Sequence, residues 1–299
     1  MASKMDNMYN TSSVLQLKGF NISSESVFPA FLFATLSYMI IVFCNLILIL
    51  TIVLNKSLHQ PMHLILLNLP INDLLGSSAL SLQLIKEILT NSGTIQHSAC
   101  VAQAFFIHIY GAGAVFILTA MAYDRYIAIC CPLQYSTVMT CAHIMRIISA
   151  VWISNLALIG VLFFLLLRLP RCGSEITHLY CDNPSLLTLV CADTTINNIY
   201  GLCIVAASQL VGNGMILYTY LCILIACFRS KHSDTKAKCL GLFTIISYRL
   251  KNISPHLRRF MGLSTLIFPP TLNPIIYGLK TKEIREKIVH VLRNKILPT

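Results

Sequence analysis

Five stretches of more than twenty residues carry almost no charge: Phe31 to Leu54, Leu64 to Ile85, Val101 to Tyr123, Ile144 to Leu167 and Asn198 to Phe228. An apolar helix needs about 20 residues to cross the hydrocarbon core of a bilayer. Unbroken runs of that length exclude a barrel, whose strands alternate polar and apolar residues, and leave a bundle of spanning helices. Composition agrees: at 56% hydrophobic and 11% charged, the 299 residues hold more apolar side chains than a soluble fold could shield.

A further run, Phe260 to Leu279, contains Pro269, Pro270 and Pro274 and reads as a kinked span, since neighbouring helices re-satisfy the freed backbone groups. Before it the chain is short of material. Lys238 and Arg249 leave only Cys239 to Tyr248 uncharged, ten residues that rise about 15 Å as helix, half of what a bilayer core requires. Extending that helix to Pro255 draws Arg249 and Lys251 inward at roughly 2.5 to 3.5 kcal/mol each near the centre, less whatever snorkelling recovers.

The formal charge of +11 comes from lysines and arginines scattered through loops and the C-terminal tail, a juxtamembrane pattern and not a nucleic-acid surface. Asn55 to His63, Asp124 to His143, Arg229 to Lys238 and Lys280 to Thr299 carry one, one, four and six of them, which makes that side cytoplasmic. Arg249 to Arg259 carries four on the opposite side, so topology is frustrated there. The polar opening segment has no cleavable signal peptide pattern, and its sequons at Asn10 and Asn21 favour glycosylation and an outside N-terminus. Of twelve cysteines, Cys100, Cys172, Cys181 and Cys191 crowd around the expected outer loops, where three pairings are open to them.

The string Met121 to Cys130 sets Asp124 beside Arg125 and Tyr126 at the inner end of the third run. Adjacent charges at the mouth of a span are costly unless hydrated or partnered, so they mark a cytoplasmic switch. Together with Asn273-Pro274-Ile275-Ile276-Tyr277 in the last run, this motif resembles the rhodopsin-like G-protein-coupled receptors. Leu58 to His63, the whole string Met121 to Cys130, Thr219-Tyr220 with Ile223, and Lys236-Ala237 resemble odorant receptors, and the likeness covers nearly the whole chain. It implies an all-α membrane protein: a seven-helix bundle of the rhodopsin-like type over residues 31–279, here with helix 6 short or missing. Residues 1–30 would form an extracellular segment and 280–299 a cytoplasmic tail. No enzyme chemistry, cofactor or nucleic-acid partner is implied.

The resemblance assigns the G-protein switch to Asp124, Arg125, Tyr126, Tyr220, Asn273, Pro274 and Tyr277, with Arg125 paired to Asp124 at rest and released toward Tyr220 when active. The plainer reading of Arg125 is a snorkelling interfacial arginine. Asn45, Asp73 and Asn273 would form a buried polar cluster that in the family can hold sodium, although Asp73 could equally be protonated or paired for structure. Many odorant receptors carry an acid eleven positions before the arginine, whereas Ala114 stands there in this chain. The implied disulfides are Cys100–Cys181 and Cys172–Cys191. An odorant pocket would be lined by Gln103, His108, Gly111, Ala112, Val205 and Ser208, mostly apolar walls with a few polar groups. His108 reads just as well as a satisfied bundle histidine, and Trp152 reads as packing.

Against the family pattern about twenty residues are absent, since Ile245 to Arg249 already resembles the outer end of helix 6. The leading expectation is an odorant receptor acting through a stimulatory olfactory-type G protein, multi-pass in the plasma membrane of olfactory sensory neurons. The alternative is a signalling-defective remnant or an incorrect gene model, with retention inside the cell. A transporter or channel is the competing class, weakened by the lack of a detectable repeat between the halves.

Overall fold

The computed structural model describes residues 13–18, 23–90, 92–229 and 282–291. Five helices among them are long and apolar enough to cross a membrane: Glu25–Leu54, Pro61–Thr90, His97–Cys130, Cys141–Leu167 and Thr195–Ile225, called the first to fifth spans below. Each of the five expected runs is helical and begins earlier than expected, and the second and third also continue further, to Thr90 and Cys130. Cys239 to Tyr248, the run Phe260 to Leu279, and the candidate residues Asn10, Asn21, Asn273, Pro274 and Tyr277 lie outside the described residues.

Local chemistry explains where the spans start and bend. Thr140 caps the fourth span, its hydroxyl accepting from the His143 amide at 3.3 Å. Pro61 opens the second span, at a position where a missing N–H costs nothing. That span runs as two helices, Pro61–Leu66 and Asn68–Thr90, because Pro70 disturbs the preceding turn. The Asn68 amide compensates by donating to the carbonyls of Leu64 and Ile65 at 2.9 and 3.2 Å. In the fifth span a single π turn, Ser208–Gly212, joins Thr195–Ala207 to Asn213–Arg229. Gly212 within it lies so close to Val115 of the third span that a Cβ would overlap that side chain.

Side-chain amides bind the spans together where lipid offers no hydrophobic drive. Asn72 donates to the Tyr110 carbonyl at 3.0 Å, Asn155 to the Ile109 carbonyl at 2.9 Å, and Trp152 Nε1 to Asn68 Oδ1 at 2.9 Å. The second and fourth spans thus both grip the third. Gly113 sits between the two amides, and a Cβ there would overlap Asn72 Oδ1. Trp152 also packs, partly buried, against an apolar cluster that includes Phe163.

Two apolar cores lie at opposite ends of the bundle. One gathers Leu48, Ile52, Leu58, Ile65, Ile117 and Ile144 near Asp124, and Ile284 of a short helix, Lys282–Val291, is buried with them. The other gathers Cys100, Ala104, Ile109, Phe163 and Cys181 with three short strands that the sequence analysis did not foresee. These are β1 (Val14–Leu17), β2 (Thr94–Gln96) and β3 (Glu175–Ile176), in the order β2-β1-β3. β1 runs antiparallel to β2 and parallel to β3. The polar opening segment therefore contributes the central strand of a sheet covering one end of the bundle. Strands this short leave too little alternation to be recognised against a helical background.

Candidate functional site

At one end, the third span delivers Asp124 into the interior, 1% exposed, with Arg125 and Tyr126 half-buried beside it. Asp124 Oδ1 accepts from the Tyr135 hydroxyl at 3.0 Å, while Arg125 donates to the sulfur of Met62. The expected Asp124–Arg125 pairing is replaced by these contacts. Among the described residues the one ion pair is Lys18–Glu175, far along the sequence from the motif. An acid and a base on adjacent helical residues point in different directions, so each finds its partner on a neighbouring segment. Tyr135 belongs to the short helix Tyr135–Val138 that follows the third span. Burial pushes its phenol up to about 12, with the Asp124 charge and their shared hydrogen bond adding to the rise and Arg125 opposing it. It thus stays protonated and donating at neutral pH. Tyr220 packs with Ile129 and Cys130 around the buried Ile223, which joins the fifth span to the end of the third.

Deeper in, Asn45 and Asp73 are fully buried. The Asn45 amide donates to the Ile41 carbonyl at 2.8 Å, and the Ser77 hydroxyl donates to the Asp73 carbonyl at 2.7 Å. Ala114 brings no side-chain oxygen to this cluster, and its third expected member, Asn273, lies outside the described residues.

At the opposite end, Cys100 is joined to Cys181 and Cys172 to Cys191, with Cα separations of 5.4 and 5.7 Å. Gln103 is not a free pocket group. Its amide donates to the Ala79 carbonyl at 3.0 Å and accepts from the Cys181 amide at 2.8 Å, fastening the loop after the fourth span to the second and third spans. His108 is half-buried, with Nδ1 2.8 Å from the Ala104 carbonyl and its ring edge-on to Phe163 at 5.7 Å. A carbonyl only accepts, so Nδ1 donates to it, and in that tautomer Nε2 is the ring's acceptor. Ala112 packs against the same apolar core as Phe163, and Phe105 meets Phe163 at 5.4 Å.

The other expected wall residues are less enclosed. Gly111 is exposed with open space where a Cβ would stand, Val205 is 56% exposed, and the half-buried Ser208 donates to the Val205 carbonyl at 3.0 Å. Around this end Asp193 is held below its usual range by donation from the Thr195 hydroxyl and amide. Tyr180 is pushed up by burial and by the Asp182 charge.

Sequence reasoning missed Tyr135, Met62 and Phe163. Met62 lay inside a quoted motif, but nothing in spacing alone ties a tyrosine eleven residues on to Asp124.

Apolar spans, a disulfide between the third span and the following loops, and Asp-Arg-Tyr at the far end of that same span define a polytopic membrane receptor. The family model described as olfactory receptor matches residues 34–295. Human olfactory receptor 52B2 is 36% identical over 273 residues, covering 85% of this chain and 84% of the relative. Human olfactory receptor 10A3 is 31% identical over 306 residues, covering 96% and 98%. Mouse olfactory receptor 4E2 is 31% identical over 278 residues, covering 88% and 89%. This chain belongs to the olfactory receptor family of G-protein-coupled receptors. The match to 10A3 runs over 306 positions yet takes in 96% of 299 residues, about 287, so roughly twenty positions of that relative have no counterpart here.

Proposed function

We propose that this chain binds a small odorant between its third, fourth and fifth spans at the disulfide-bridged end, and so promotes activation of a stimulatory olfactory-type G protein at the Asp124 end. The first end faces outside, with residues 1–30 extracellular, and 280–299 form a cytoplasmic tail in the plasma membrane. One observation carries the reading: a single helix, the third span, bears both the buried Asp124 beside Arg125 and, at its other end, His108 against Phe163 below a bridged loop. An odorant that fits one arrangement of these packed elements better than another shifts the population, and the partner at the far end responds to that shift.

The walls are apolar, and the Nε2 acceptor of His108 suits a hydroxyl-bearing odorant. At the other end Leu133 is 95% exposed in the turn between Asp124 and Tyr135 and offers an apolar anchor to the G protein. The test is cyclic AMP production in cells expressing the full chain, challenged with medium-chain alcohols. A response that disappears in Arg125→Ala at equal surface expression supports the reading; an unaltered response in that variant refutes the switch.

The length deficit favours a second reading, a receptor remnant or an incorrect gene model lacking most of helix 6. It predicts no surface labelling of an N-terminal tag and no cyclic AMP response. Sequencing the transcript across Lys236 to Arg249 separates a faulty gene model from a truly shortened chain.

A further inference from the structure

We propose that the N-terminal strand β1 is a working part of the ligand chamber, a strap whose Leu15 and Leu17 seal its outer mouth and govern how fast small molecules enter and leave. This rests on the reading of that end as an odorant pocket. β1 is the middle strand of its sheet, so it is the element that connects β2, before the third span, to β3, in the loop after the fourth. Leu15 and Leu17 lie on one face and are 0% and 2% exposed, whereas Val14 and Gln16 lie on the other and are exposed. The buried pair belongs to one continuous apolar core with Ile95, Ile176, the Cys100–Cys181 bridge and Phe163, against which Ala112 packs. Phe163 in turn meets the His108 ring. The strand therefore covers the same cluster that forms the chamber wall.

What holds it is mostly backbone. Gln16 donates to the Ser174 carbonyl at 2.7 Å, Leu17 to Gly93 at 2.6 Å, Lys18 to Ile176 at 2.7 Å, and His97 to Ser13 at 2.8 Å. The Lys18–Glu175 pair is exposed on both sides, which leaves it screened and weak. No covalent link ties β1 down, since the two described disulfides join other segments. A strand secured by a few hydrogen bonds and two leucines can lift locally without unfolding the bundle. Two fixed bridges beside one releasable strand give the mouth a rigid part and a moving part.

The register supplies a clean test. Gln16 and Thr94 face each other in a pair that shares no backbone hydrogen bond, the closer of the two antiparallel pair types, and Gln16 points away from the core. Gln16→Cys with Thr94→Cys can therefore close a bridge that locks the strap without touching the chamber. A reporter thiol is introduced by Ala112→Cys in the full chain, and its reaction with a small, membrane-impermeant methanethiosulfonate is timed by mass spectrometry at that position. Closing the bridge should slow labelling at least tenfold, and mild reduction should restore the starting rate. Leu15→Ala with Leu17→Ala should speed it at least tenfold. If the leucine variant does not reach the membrane, the bridged variant decides alone. Labelling that is indifferent to the bridge overturns the proposal. Protection of the same thiol by 1-octanol in the unbridged protein tests the pocket separately: lost protection with the strap effect intact removes the pocket, and intact protection with no strap effect removes the strap.

Discussion

Tyr135→Phe should destabilise the Asp124 end by about 1.5–3 kcal/mol, the value of a hydrogen bond to a charged group whose loss leaves that group buried. The magnitude follows from the surroundings of the carboxyl. Asp124 is 1% exposed, its Oδ1 takes the Tyr135 hydroxyl at 3.0 Å, and its Oδ2 has no hydrogen-bond partner among the described residues. Phenylalanine keeps the ring and its packing and deletes the one donor. Arg125 acts on the carboxyl only through space, because its hydrogen bond is directed to Met62.

A double-mutant cycle separates this bond from general damage. Tyr135→Phe, Asp124→Ala and the double variant are purified as full chains, and thermal unfolding is followed with a thiol-reactive dye that reports the half-buried Cys44, Cys130 and Cys222. The double variant should lose less stability than the sum of the single changes, with a coupling of about 1.5–3 kcal/mol. Additivity within about 0.5 kcal/mol would refute the bond and return Asp124 to Arg125 as its partner.

Raising pH offers an independent check on the same pair: with its pKa raised to about 12, the Tyr135 contribution is fully present below about 10 and lost as pH climbs through 12, so ultraviolet titration should show a late-ionising tyrosine that Tyr135→Phe removes. Gln103→Ala should cost about 2–4 kcal/mol and lower the surface level, because it strands both the Cys181 amide and the Ala79 carbonyl; Gln103→Glu, which keeps an acceptor for Cys181, should lose less. Gly113→Ala should cost about 1–3 kcal/mol in thermal unfolding through overlap with Asn72 and a 2.9 Å approach to Asn155 Nδ2, and unchanged stability would show that the amides have room to move.

The spans were legible because bilayer thickness sets a length that an apolar run either meets or misses, and the five described runs meet it. The Asp-Arg-Tyr motif was legible as a location, but the hydrogen bonds made there, Tyr135 to Asp124 and Arg125 to Met62, were not. Spacing along a helix says which residues share a face, whereas the partner of Asp124 sits beyond a turn, on Tyr135, where chain direction has changed. Gln103 shows the same limit from another side. Its polarity and position near a mouth suggested ligand contact, but its amide is committed at both ends to backbone groups that only the folded loop brings near. β1 escaped notice for a different reason: Leu15 and Leu17 carry a strand's alternation over four residues, too short to count until β2 and β3 flank it.

Length, more than chemistry, separates this chain from its relatives, and three observations bear on where the difference falls. Roughly twenty positions of olfactory receptor 10A3 have no counterpart in this chain. The uncharged stretch between Lys238 and Arg249 is half the length a span requires. And the fifth span, which precedes it, has 6% of its most apolar window buried, against 61% for the second span and 44% for the third. A helix so bare is covered along one side only, where Gly212 meets Val115 and Ile223 meets Ile129 and Cys130. Both readings keep the groups that the first five spans bring to the two ends of the bundle. The receptor and remnant readings thus share their anatomy through Ile225 and diverge only after it.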